Sequence, residues 1–212
     1  MTHLSEPRFL VLHGLRLKGF AEPEPLAEAG GLDLSRAVEV LAALEGEGLA
    51  QHRVGRISGW CLLPPGREAH AGALALDLSA SGSGEILAQA YQAFVAVNAD
   101  MLGVCTDWQM RPDGLTPLVN DHADPAYDAG VVDRLVAIDA LIQPVCIKLA
   151  SSMGRFARYG PRFSAALERV EAGDPEWFTK PLMDSYHTVW FELHEDLLVS
   201  LGIERSAEKA PA

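Results

Sequence analysis

Residues 33–66 constrain the fold more than any other stretch of this chain. Asp33 or Ser35 can cap a helix, because either side-chain oxygen can accept a bond from an orphan N–H of the first turn. Leu34, Val38, Leu41 and Leu44 then recur at three- and four-residue spacing and define one apolar face. Gly46 or Gly48 can end the helix, since glycine enters the left-handed region without steric cost. Two short strand-like runs follow, residues 49–53 and 59–63, joined by a tip at residues 54–58 that carries Gly55 and Arg56. Helix, glycine stop, strand, turn and strand are thus written in sequence.

Upstream, residues 6–20 read as a helix stopped by Gly19. Pro23 and Pro25 open a second, short helix closed by Gly30 and Gly31, in keeping with proline at helix starts and glycine past helix ends. Leu41, Leu44, Gly48 and Leu49, then Arg53, Gly55 and Arg56, then Leu63, Pro64, Gly66 and Arg67 together resemble the winged helix-turn-helix of MarR-type transcriptional regulators. The resemblance covers about the first third of the chain. It implies a DNA duplex as partner, with the third helix in the major groove. Ser35, Arg36 and Glu39 would face the bases, and Arg53 and Arg56 on the wing would meet phosphates or the minor groove. It also implies a homodimer that answers to a small-molecule effector.

Charge qualifies that expectation. The chain of 212 residues has a net charge of −12, which argues against indiscriminate nucleic-acid binding, because DNA affinity comes largely from cations that displace counterions. Seven cations and nine acids precede residue 71, against ten and twenty beyond it. The would-be reading part is the less acidic one without being basic. A protein-docking role for the same helices stays open beside the DNA role.

Residues 64–78 read as a further helix, and the Ser/Gly-rich residues 79–84 as a linker. The expected division is therefore a winged-helix domain over 1–78, the linker over 79–84, a helical domain for ligand sensing and dimerisation over 85–203, and a polar tail over 204–212. The expected fold class is mainly α, an N-terminal winged helix with a small β wing followed by a C-terminal antiparallel helical bundle. Within the bundle, residues 85–108 and 126–152 read as long helices, the second interrupted by Pro144. A long loop lies between them. A short helix over 162–172 precedes a last long helix that starts at Asp174 or Pro175 and runs to Leu201.

The last helix carries His187, Trp190, Phe191, His194 and Leu198 on one stripe. With Tyr91, Phe94, Trp108 and the loop residue His122, these define a candidate ligand pocket lined by Tyr91, Phe94, Trp108, His122, His187, Trp190 and His194. The alternative is ordinary packing. Asp121, His122, His187 and His194 are the candidate metal ligands, although no motif spacing joins them and no cofactor is implied. Glu195 follows His194 without the second histidine of a zincin motif. Arg155, Arg158 and Arg162, in a run flanked by Lys148 and Arg169, form a candidate anion site. Cys105 and Cys146 fall on apolar stripes, where cysteine behaves as a small hydrophobe.

The three cysteines lack paired spacing, no apolar run reaches the roughly 18 residues of a membrane span, and MTHLSEPRF lacks a signal-peptide pattern. The expectation is a cytoplasmic protein with no membrane partner. The functional reading is a ligand-responsive, DNA-binding regulator. The alternatives are an adaptor protein, or an enzyme working through Asp107, His122, His187, His194 and Glu195.

Overall fold

The computed structural model describes residues 1–55, 58–112 and 117–205. The chain is mainly helical with small antiparallel strand pairs. It divides into two units, Met1–Ile86 with Leu149–Arg158, and Leu87–Lys148 with Tyr159–Ala212.

The first unit opens with α1 (Pro7–Lys18), α2 (Pro23–Gly30) and α3 (Leu34–Gly46). Proline sits in the first turn of α1 and α2, where the missing N–H has no partner to lose. Asp33 occupies the N-cap of α3 in an extended conformation, but its side chain makes no capping bond, so that part of the expectation fails. The buried face of α3 is Ala37, Val40, Leu41 and Leu44. Leu34 and Val38, expected inside, are 44% and 47% exposed. Leu41 and Leu44 are common to both readings. Ala37, fully buried, takes the place assigned to Val38, because a small side chain lets α3 approach Leu12, Leu15 and Leu26 of α1 and α2 closely.

Gly48, at φ 72°, turns the chain out of α3. Strands β1 (Ala50–Arg53) and β2 (Gly59–Leu62) pair antiparallel in the register Ala50 with Leu62 and Arg53 with Gly59. Arg56, named above as a wing residue, lies outside the described residues. The backbone between α1 and α2 adds one bridge to this hairpin: Ala21 N donates to Trp60 O at 3.1 Å, and Trp60 N donates to Ala21 O at 2.8 Å.

Helix α4 (Pro64–Ser81) follows. It reaches three residues into the expected linker, Gly82 ends it, and Ser83 is buried. The next helix, α5 (Gly84–Gln109), begins at once. The expected linker at 79–84 is thus the end of α4, a tight turn at Gly82 and Ser83, and the start of α5, and the division between units falls inside α5, after Ile86.

Residues 149–158 return to the first unit through backbone and buried polar contacts. His3 N donates to Ser152 O at 2.9 Å and Gly154 N donates to His3 O at 2.8 Å. Arg155 Nη1 donates to His13 Nε2 at 2.9 Å, and His13 Nδ1 lies 3.0 Å from His70 Nε2. Arginine can only donate, so His13 accepts at Nε2 and carries its proton on Nδ1.

In the second unit, β3 (Met110–Arg111) and β4 (Leu118–Val119) form a two-residue pair inside the expected loop. Helix α6 (Pro125–Ser152) runs as one element through Pro144. A 3-10 turn (Gly154–Phe156) precedes α7 (Tyr159–Glu171), which starts three residues before the expected position. The expected last helix is two. A short α8 (Glu176–Thr179) is separated from α9 (Tyr186–Leu201) by a break containing Pro181 and Leu182 at φ 64°. Ser185 restarts the helix by accepting from Thr188 N at 3.3 Å. Phe94 of α5, Phe163 of α7, and Tyr186 and Trp190 of α9 form the aromatic centre, with ring centroids 4.6 Å apart for Phe94–Trp190 and 4.8 Å for Phe163–Tyr186.

One close approach tests this account of the first unit. A Cβ on Gly66 would lie 2.0 Å from the Leu49 carbonyl oxygen, whereas one on Gly72 meets nothing within 4 Å. Gly66→Ala is expected to destabilise the protein by about 2 kcal/mol, in the range of overpacked cores. Gly72→Ala should stabilise by about 0.5–1 kcal/mol, because glycine costs chain entropy inside a helix. Paired denaturant titrations check both; equal effects of the two substitutions would contradict the Leu49 contact.

Candidate functional site

Two surfaces carry the functional candidates, one in each unit. In the first, the inward residues of α3 leave Ser35, Arg36 and Glu39 exposed, together with Ala43. Arg36 Nη1 donates to Glu39 Oε2 at 3.0 Å, with both side chains more than half exposed. Such a pair is screened and readily exchanged. At the C-terminal end of α3, Arg8 clamps Glu47 through two bonds of 2.7 Å. Those bonds hold the Glu47 carboxyl below its ordinary range. Arg53 is exposed at the end of β1, on the hairpin that follows α3.

In the second unit a cleft of about 590 Å³ lies between the first turns of α6 and the end of α7. Trp108, His122, Asp128, Val132, Asp133 and Glu171 are among its lining residues. The loop before α6 is fixed there by one buried side chain: Asn120 Nδ2 donates to Trp108 O at 3.0 Å and to Asp128 Oδ1 at 2.8 Å. His122 sits at φ 57°, a backbone conformation rare for residues other than glycine. Its Nδ1 lies 3.0 Å from Asp128 Oδ2, and its ring tilts over Trp108 at 4.5 Å. Trp108 also meets Phe178 of α8, at 4.5 Å. Asp124 caps the start of α6. The Tyr127 N–H, then Arg111 at 2.9 Å, hold its carboxyl below the ordinary range. Among the described residues three carboxylates, Asp128, Asp133 and Glu171, face the cleft, and no lysine or arginine lines it.

The seven residues named for one ligand pocket are therefore divided. Trp108 and His122 line the cleft. Phe94, Trp190 and His194 pack against one another in the core, with the His194 ring 4.8 Å from Phe94 and Trp190 Nε1 donating to Asn98 Oδ1 at 2.9 Å. Tyr91 is buried. His187 is half-buried at the start of α9, and burial lowers its pKa, so the neutral ring is favoured. Asp128 and Phe178 escaped the sequence reading. Asp128 carries a local signal, an acid in the first turn after Pro125, but Phe178 has none.

The three arginines of the candidate anion site have different fates. Arg155 is buried, donates to His13, and lies over the Phe156 ring at 4.1 Å. Arg158 is exposed. Arg162 forms two bonds to Asp184, at 2.8 and 2.9 Å, and lies 2.8 Å from Glu192 Oε2. Burial opposes its charge, but those carboxylates outweigh burial and raise its pKa above the ordinary value. Arg162 is thus neutralised from within its own unit.

Among the described residues no group of three His, Cys, Asp or Glu side chains is placed to hold a metal ion. Asp121 accepts from Ala123 N at 3.1 Å, while His122 faces Asp128. The residues named for the enzymatic alternative are held in pairs of their own, Asp107 with Arg134 at 2.5 Å and Glu195 with Arg205 at 3.1 Å. Burial pushes the thiols of Cys105 and Cys146 up to about 12, which leaves almost no nucleophilic thiolate at neutral pH. By length and composition α6 is apolar enough to cross a membrane, although no uninterrupted apolar run in the sequence announces it. Comparison with protein-family models, with characterised proteins and with solved structures finds no match for the chain.

Removing Arg162 would take away the cation that lies 2.8 Å from the buried Glu192 carboxylate. Arg162→Ala is expected to cost about 3 kcal/mol or more, and Arg158→Ala, on the surface, less than about 0.5 kcal/mol. Chemical denaturation of the two variants measures the contrast. A mild Arg162 variant would show that the pairs with Asp184 and Glu192 do not form.

Proposed function

We propose that the chain is a ligand-responsive DNA-binding regulator of MarR-like type. In this reading the first unit is a winged helix, α3 is the reading helix, and the β1–β2 hairpin is the wing. The observation that carries the reading is the sidedness of α3. Its buried face is complete with Ala37, Val40, Leu41 and Leu44, and Ser35, Arg36 and Glu39 stand outside. The element order supports it, with the Ala21–Trp60 bridge supplying the short strand between the first two helices. Groove entry would exchange the Arg36–Glu39 pair for contacts of Arg36 with the duplex, while Arg53 would meet the backbone.

Arg36→Ala and Arg53→Ala are each expected to weaken binding to the preferred duplex by roughly tenfold and to lower the salt slope by about one. A selection from genomic fragments followed by gel shift makes the measurement. A chain that selects no duplex sinks the reading.

A second reading, docking on another protein, is favoured by the exposed Leu34 and Val38 on α3. Recovery of one stoichiometric partner, with no duplex shifted, selects it.

The effector in the regulator reading occupies the cleft of the second unit. Three carboxylates beside Trp108 and His122 favour an aromatic amine or quaternary ammonium compound over an anion. Such cations should raise the melting temperature of the wild-type protein, and Asp128→Asn should remove the shift. Stabilisation by carboxylates of the same shape would refute the assignment.

A further inference from the structure

We infer that the outward face of α5 and α6 is the interface of a homodimer, in which α6 crosses the same helix of a second copy antiparallel about its midpoint at Ala140 and Leu141. The starting observation is a mismatch between composition and burial. Only 33% of the most apolar stretch of α6 is buried. Leu141 is 56% exposed and Ile147 68% exposed, and Ala137, Ala140 and Pro144 are exposed with them. At 100° per residue these side chains share one face. Residues 135–147 include one charge, Asp139, and it accepts from Tyr186 Oη at 3.0 Å and from Gln143 Nε2 at 3.1 Å. The exposed face of α6 between Arg134 and Lys148 is consequently free of charge.

Helix α5 extends that face. Arg134 bonds to Asp107 at 2.5 Å and Lys148 to Gln89 at 2.6 Å, so α5 and α6 lie side by side and antiparallel. Ala96, Ala99 and Leu102 of α5 are exposed as well, with Asp100 as the one acid among them. Residues 88–106 and 130–148 are each about 28 Å long, and two packed helices span about 20 Å. The accessible area of such a patch is on the order of the 800 Å² per partner that a stable complex buries.

The charges at the two ends select the occupant. An antiparallel crossing centred between Ala140 and Leu141 sets residue 133 opposite residue 148, so the exposed Asp133 of each copy, at the edge of the cleft, meets Lys148 of the other, which in the dimer leaves Asp128 and Glu171 to the cleft. A two-fold axis makes that pairing twice. A lipid surface would gain nothing from it.

The inference rests on the homodimeric regulator reading, for which it names the face, but its test reads association and not DNA binding. A chain that forms this dimer and shifts no duplex sinks the DNA reading alone. Sedimentation of the full chain across the micromolar range should show a monomer–dimer equilibrium. Leu141→Glu, at an exposed position, should keep the helical circular dichroism spectrum and raise the dimer Kd roughly thirtyfold or more. Asp133→Lys should weaken the dimer, and adding Lys148→Asp to it should restore association. Three results overturn the proposal: a monomer at every concentration, a dimer indifferent to Leu141→Glu, or a monomer that instead sediments with phospholipid vesicles.

Discussion

The backbone of Leu49 is the joint on which the first unit is assembled. Its N–H donates to Leu44 O at 2.8 Å, which ties it to the last turn of α3. Its carbonyl accepts from Leu63 N at 2.9 Å, which ties it to the exit of the hairpin. The same oxygen abuts Gly66 in the first turn of α4, where no side chain fits. Helix, hairpin and following helix thus meet at the backbone of one residue, and the orientation of α3 follows from that meeting. Backbone groups buried at such a junction need partners, and here each has one.

Electrostatics divides the labour differently in the second unit. Three of its arginines are engaged by its own carboxylates: Arg111 by Asp124, Arg134 by Asp107, and Arg162 by Asp184 and Glu192. Acids outnumber cations there by more than two to one, so acids are left over for surfaces. The cleft receives three of them, which is why its chemistry favours cations. The arginine-rich run at residues 155–169 reads as an anion site only while the acids that neutralise Arg162 are out of view, since Asp184 and Glu192 come 22 and 30 positions later in the chain.

Helix α6 connects these features along one element. Asp128, Val132 and Asp133 in its first turns line the cleft, its middle carries the apolar face proposed for dimerisation, and its last turn, from Leu149, belongs to the first unit. In the regulator reading, an effector in the cleft acts at one end of a helix whose other end is built into the proposed DNA-binding unit. Such coupling requires the effector to bind one arrangement of the dimer more tightly than another.

What the sequence determined by itself is local. Proline and glycine punctuation marked α1, α2, α3 and the hairpin nearly to the residue, because those residues act through their own backbone conformations. The apolar spacing of α5 and α6 gave their extents for a similar reason: a helical period is written in consecutive residues. Tertiary structure decided which face each element buries and which polar groups meet. Val38 lost its inward place to Ala37 because packing distance between helices, not apolarity alone, selects the side chain at a crossing. The last helix broke at residues 180–185, and the expected aromatic pocket separated into a core cluster and a cleft, because Asn120, Asp128 and Phe178 capture Trp108 and His122. Such pairings join residues distant in sequence, and their energies exist only once the chain has brought those residues together.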